Sequence, residues 1–274
     1  MVMNDEWSAP EGNPISLERA KELLTGNLGV VHRRILAASC LPICWFPLTG
    51  ERFRILHNGT VTLIRTPKRL LGVTAAHVIA QYRADLVVSR LRLQLLNAVA
   101  DDLLSRVIDY SERMDLATIN LDEGLLQEAG KPCTPLSWPP MPPEEGRGIM
   151  LCGFPGGERI ESESFEVNFG LFTGMGIARR VTDSQISWLI EREFQIDDSI
   201  LNSLPRNFNL GGVSGGPLIS WFESPNHVAH YRLSGIITEH PDYEQNDVSV
   251  ERVVAIRADL ISEEGRISTV ASAA

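Results

Sequence analysis

Basic residues are scarce: 25 Lys and Arg face 35 Asp and Glu in 274 residues, a formal charge of −10. An acidic surface repels phosphate backbones, so no nucleic-acid partner is expected. Long apolar runs are missing as well. The longest uncharged stretches, Ile35 to Gly50 and Asn207 to Phe222, are each 16 residues and are broken by Pro or Gly. A membrane-spanning helix needs ~20, so no membrane partner is predicted. The sequence opens MVMNDEWSAPEGNP, with Asp5 and Glu6 where a secretory leader would carry Lys or Arg, and no apolar stretch follows. The expected compartment is the cytoplasm. Cysteine is sparse, and without export Cys40, Cys44, Cys133 and Cys152 are expected to be reduced, mostly buried thiols. Cys40 and Cys44 share one face of a predicted strand at a spacing that suits neither a disulfide nor chelation. A chain this long buries about 75% of its unfolded surface, so no cofactor or metal is needed to hold a core.

What the chain does have is 43% hydrophobic and 22% charged residues, which excludes disorder as its main state. Residues 1–30 read as an extension, with Ser16 as the N-cap of a short helix over LERAKELL that stops at Gly26. This segment is a candidate docking element for the rest of the chain or for a partner protein. From about Val30 the texture becomes short runs rich in Val, Ile, Leu, Phe and Thr: CLPICWF, RFRIL, GTVTLIRT, LLGVTAA, LRLQLL and DLATINL. These predict strands. Residues 132–147 form a linker in which Pro132, Pro135, Pro139, Pro140, Pro142 and Pro143 oppose both helix and sheet ladder. Strand texture resumes in GIMLCGF, FEVNFGLFTGMGIARRV, SGGPLISWF, YRLSGIIT and RVVAI, and ADLISEEGR predicts a short C-terminal helix. The segment DSQISWLIEREFQ, Asp183 to Gln195, fits either an inserted helix or an extended hairpin. The pattern predicts an all-β protein with a first unit at 31–131, a second at 148–263 and a tail at 264–274; connections are too short for a parallel α/β sheet.

Three segments carry chemistry. In NLGGVSGGPL, Asn209 to Leu218, Ser214 is flanked by Gly211, Gly212, Gly215 and Gly216. Such backbone can turn sharply, present the hydroxyl and aim amides at a developing oxyanion. In VTAAHVIA, small Ala75 and Ala76 precede His77, leaving room for another segment to pack against the turn that bears the imidazole. An acid must then orient that ring. Asp115 heads the strand DLATINL and is the preferred candidate; Asp85, in ADLVV, follows His77 too closely to lie on a separate strand of the same unit.

These blocks resemble the trypsin-like, chymotrypsin-fold serine peptidases. TAAH at Thr74 to His77, DLA at Asp115 to Ala117 and SGGPL at Ser214 to Leu218 stand in that family's order of His, Asp, Ser, and the likeness spans roughly residues 30 to 263. The resemblance implies two six-stranded antiparallel β-barrels and a serine endopeptidase acting on polypeptides, of the bacterial intracellular type. Ser214 would be the nucleophile, His77 the base and Asp115 the orienting acid of a catalytic triad, with the amides of Gly212 and Ser214 as oxyanion hole. It also implies that Ser234 to Glu239, SGIITE, pairs with substrate, with Thr238 and Glu239 at the pocket mouth and Phe208 and Asn209 near its base. Two positions depart from the secreted relatives: Val78 replaces a cysteine, and Val213 replaces the aspartate that pairs with a newly cut N-terminus, which argues against activation by that route.

Other readings exist. GVSGG also fits the G-x-S-x-G elbow of α/β-hydrolase esterases, but that family's order of Ser, acid, His leaves only Glu223 and Glu239 as acids before His240. A peptidase-like domain that binds peptides or protein partners without cutting them is the main alternative. His227, His230 and His240 lie around ESPNHVAHYR and read as loop histidines rather than metal ligands.

Overall fold

A computed structural model describes residues 26–48, 57–99, 103–130, 132–161, 167–190, 210–223, 229–239 and 251–268. Strands dominate, in two antiparallel sheets. The first holds β1 (Cys40–Pro47), β2 (His57–Arg65), β3 (Leu70–Thr74), β4 (Leu91–Leu95), β5 (Ala98–Val99), β6 (Val107–Ser111), β7 (Leu116–Leu121) and β8 (Leu136–Ser137). Its order is β5-β4-β1-β2-β3-β7-β6, with β8 beside β2. A small hairpin of β10 (Arg159–Glu161) and β11 (Val167–Phe169) stands apart. The second sheet holds β9 (Gly148–Gly153), β12 (Phe172–Ile177), β13 (Arg180–Val181), β14 (Gln185–Ile190), β15 (Pro217–Glu223), β16 (Ala229–Glu239) and β17 (Glu251–Arg257). Its order is β12-β9-β15-β16-β17-β14-β13. Among the described residues both ladders are open.

The two-residue period of the strands divides the core. On β1, Leu41, Ile43 and Trp45 enter a cluster inside the first sheet with Val61, Leu63 and Leu93, whereas Cys40 faces the other way. That second side is a cluster shared by both halves: Ile64, Leu71, Val73 and Leu116 from the first meet Met150, Ile219, Leu233 and Ile256 from the second. A third cluster around Trp188, Leu218 and Val253 lies within the second sheet. Full burial of each Leu or Ile stabilises by roughly 1.5–3 kcal/mol, so the shared cluster fastens one sheet to the other. The Cys40 and Cys152 thiols meet there, 3.4 Å apart, and none of the four cysteines is in a disulfide.

Several expectations need correction. The segment after residue 26 is a helix, α1 (Asn27–Ala38), where strand texture was expected from about Val30. A second helix, α2 (Ala76–Val88), follows β3 directly, and a third, α3 (Glu123–Glu128), follows β7. The proline-rich stretch does join a ladder: Leu136 and Ser137, between the prolines, keep their N–H groups and pair in parallel with Ile64 and Arg65. Gln185–Ile190 is a strand paired with β13 and β17, which settles the helix-or-hairpin ambiguity for those residues. The predicted C-terminal helix shrinks to one 3₁₀ turn at Ala258–Leu260. Beyond it the chain turns at Gly265, φ +82°, and first-sheet side chains take its backbone: Thr66 donates to the Glu263 carbonyl and Thr118 to that of Gly265. LERAKELL and RFRIL lie outside the described residues.

Candidate active site

His77 sits in the first turn of α2. β3 ends at Thr74, and Ala75 is extended and fully buried, so the chain enters the helix with the imidazole at the surface. Asp115 arrives from another direction, in the turn between β6 and β7, closed by its own amide donating to the Glu112 carbonyl at 3.2 Å. Its φ of +48° is left-handed, a region Asp tolerates better than most side chains. The carboxylate grips its partner twice: Oδ2 lies 2.8 Å from His77 Nδ1, and Oδ1 accepts the His77 backbone N–H at 2.9 Å. An ionised carboxylate only accepts, so Nδ1 is the donor in this pair, and in the neutral ring that tautomer leaves the lone pair on Nε2.

The serine loop is fixed through its carbonyls. Gly211 O accepts from the Gly156 amide at 2.7 Å, Gly212 O from Thr60 Oγ1 at 2.8 Å and Val213 O from the Gly216 amide at 2.8 Å. Ser214 O accepts from the Thr60 amide at 3.0 Å, Gly215 O from Thr62 Oγ1 at 2.7 Å and Gly216 O from the Ile237 amide at 2.9 Å. In a trans peptide the N–H points opposite to the C=O. Anchoring Gly211 O on Gly156 therefore turns the Gly212 N–H away from Gly156, and anchoring Val213 O on Gly216 does the same for the Ser214 N–H. Among the described residues neither amide has an acceptor, whereas those of Val213, Gly215 and Gly216 are bonded. Two undonated amides, the serine's own and that of the residue two before it, can receive an anionic oxygen.

Glycine is required where this loop meets the first sheet. Gly212 and Gly215 have φ of +102° and +91°. A Cβ at Gly215 would strike the Thr60 carbonyl and lie 2.5 Å from Thr74 Oγ1. The residue after Ser214 thus packs against a residue three before His77, which brings the loop to the root of α2. Ser214 is 2% exposed, and its Oγ makes no hydrogen bond, to His77 or any other described residue.

The remaining expected residues are placed unevenly. Thr238 is buried, at an irregularity in β16 pairing between Ile237 and Glu239, and the Glu239 backbone pairs with Val254. Phe208 and Asn209 lie outside the described residues, as do His227 and His240. Asp85 is not near His77 Nδ1; it accepts from Trp45 Nε1 at 2.8 Å and Gln81 Nε2 at 3.0 Å. No group of three His, Cys, Asp or Glu able to hold a metal occurs among the described residues. Asn58, Thr60 and Thr62 were not singled out from the sequence. They alternate on one face of β2, and Asn58 donates to the Phe154 carbonyl at 2.7 Å. The signal was present as polar residues alternating within an otherwise apolar strand.

The esterase elbow needs a serine between a strand and a helix of a parallel sheet. Ser214 instead leads into β15 of an antiparallel sheet. Among the described residues no helix is long and apolar enough to cross a membrane. No protein-family model matches the chain, and no curated protein does.

Proposed function

We propose that the protein is a serine endopeptidase of trypsin-like type, working without a cofactor on extended polypeptide in the cytoplasm. One observation carries this reading: Asp115 orients the His77 imidazole just past the end of β3, and Gly215 packs against Thr74 at the end of the same strand, next to a buried Ser214 whose own amide and that of Gly212 are undonated. In this reading the two sheets, with eight and seven strands rather than the expected six each, are the two halves of a chymotrypsin-type fold, and the cleft between them takes the substrate.

Ser214 Oγ attacks the scissile carbonyl while His77 Nε2 takes its proton, leaving an imidazolium that Asp115 stabilises. The carbonyl oxygen becomes an oxyanion held by the Gly212 and Ser214 amides. Collapse expels the amine, which leaves with the proton from His77, and the acyl group stays on Ser214. Water then repeats the sequence and frees the acid. The Ser214 hydroxyl must turn to His77 when substrate binds, a tightening common where resting hydrogen bonds are unformed. In this reading the peptide pairs by strand addition at Thr238 and Glu239, past the last pairing of β16 with β15, and these two residues border the pocket mouth.

A second reading, a domain that binds peptide without cutting it, is favoured by the same unengaged Ser214 hydroxyl. Incubation with unfolded polypeptides, with new termini read by mass spectrometry, separates them. Cleavage that disappears in Ser214→Ala supports the peptidase; saturable binding with no new termini supports the silent domain. Hydrolysis confined to short acyl esters would overturn both.

A further inference from the structure

The loop from Leu210 to Gly216 carries no charged side chain. Hydrogen bonds and packing must therefore hold it, and Val213, 1% exposed, offers only packing. Three successive peptide planes decide where the two undonated amides point. The outer two carry the Gly212 and Ser214 N–H groups. The middle one, Gly212 to Val213, sets the angle between them, and its carbonyl rests on Thr60 Oγ1 at 2.8 Å. That hydroxyl cannot rotate freely, because it also accepts the Phe154 amide at 3.0 Å. Thr60 completes the grip with its own amide on Ser214 O at 3.0 Å, and its carbonyl accepts from Thr74 Oγ1 at 2.8 Å. Phe154 is held at its other end by Asn58, and two residues further on Gly156 anchors Gly211 O.

Building on the peptidase reading, we infer that Thr60 is a positioning residue for the oxyanion site: from the first sheet, its hydroxyl fixes the peptide plane between the two receiving amides of the second. The site then holds its working shape in the intact chain, with no cleavage required to form it. Thr60 touches no substrate and acts through Gly212 and Phe154. Its removal must therefore weaken transition-state binding and spare the binding of substrate.

The test compares Thr60→Val, which keeps the shape but loses the hydroxyl, with Thr60→Ser, which restores it. Thr66→Val, removing another threonine hydroxyl that binds a backbone carbonyl, is the structural control. Peptide kcat and KM are measured alongside the inhibition constant of a peptidyl boronate, whose adduct with serine places an anionic oxygen at the two amides. Thr60→Val is expected to lower kcat about 10- to 100-fold, raise the boronate constant by a matching factor and leave KM within about twofold. Thr60→Ser should retain kcat within about threefold, and Thr66→Val should lower Tm at unchanged kcat. A folded Thr60→Val with wild-type kcat, or a Thr60→Ser as impaired as Thr60→Val, overturns the inference. Should Thr60→Val not fold, the wild-type boronate complex decides: a Thr60 hydroxyl still on Gly212 O supports the inference, and one turned away overturns it. A wild type that neither cleaves peptide nor binds boronate removes the peptidase reading itself, and this inference with it.

Discussion

Two histidine–aspartate pairs lie a short way apart in the first half of the molecule, and they are built for different work. In the His77 and Asp115 pair the ring nitrogen and carboxylate are 2.8 Å apart, and the second oxygen holds the same residue's amide. In the His57 and Asp85 pair the separation is 3.7 Å, and Asp85 spends its oxygens on Trp45 and Gln81. The ring of His57 lies 5.9 Å from that of Trp45. Asp115 reaches its histidine from a separate hairpin, so its carboxylate is available to one imidazole alone. Asp85 lies on the same helix as His77, two turns on, and serves to tie α2 to β1 through a buried tryptophan. Proximity of an acid and a histidine is thus a weak guide; what distinguishes a candidate catalytic pair is a carboxylate that spends both oxygens on the histidine and none on other residues.

The comparison can be broken by substitution. The largest effect is expected at His77→Ala, which should lower peptide turnover by about 10⁶-fold while the melting curve stays cooperative. Asp115→Asn should lower kcat by about 10⁴-fold, because an amide can leave the imidazole in the wrong tautomer. If steady-state kinetics gave Asp85→Asn the larger loss, the roles of the two acids would be reversed. Asp85→Ala orphans the Trp45 N–H and should cost about 1–3 kcal/mol in urea denaturation, with kcat within about threefold of wild type. His57→Ala should cost no more than about 1 kcal/mol by the same measurement, since its ring is half exposed.

A third carboxylate sets the lower end of the scale. Asp122 caps α3 by accepting the Leu125 amide at 2.8 Å and also meets Arg106 at 2.8 Å. The Arg106 hydrogen bond, with help from the cap, holds its carboxyl below the usual range. A depressed folded pKa means that this stabilisation is complete above the ordinary carboxylate range and is lost as pH falls through the folded value. Asp122→Ala should therefore cost about 1 kcal/mol or less at neutral pH, given its exposure, and progressively less in acid.

Strands were legible in the sequence wherever β-branched and apolar residues alternate between turn signals, as in GTVTLIRT and DLATINL. Helices α1 and α2 were not. Gly26 and Ala75 occupy their N-caps, no side chain caps either one, and neither has an acid in its first turn. In α2 apolar residues face both ways, with Ala76, Val78 and Ile79 buried and Val87 and Val88 exposed, so the 3.6-residue period is blurred. Ser214, His77 and Asp115 were legible as candidates because each stands in a distinctive local setting, and of these the structure joins His77 to Asp115. Thr60 was not, since the group it holds lies 152 residues away in sequence, and nothing local marks a threonine hydroxyl for that task. The C-terminal turn was misread for a related reason: SEEGR has helical composition, but its carbonyls are claimed by threonines of the first sheet.

The most direct test of the central claim is labelling with a fluorophosphonate, followed by mapping of the modified peptide. Ser214 Oγ would bond to phosphorus, fluoride would leave, and His77 would take the hydroxyl proton. Label is expected on Ser214 of the wild type, none on His77→Ala, and slowed labelling of Asp115→Asn but not of Asp85→Asn. A folded wild type that stays unlabelled, or is labelled at another residue, would contradict the claim.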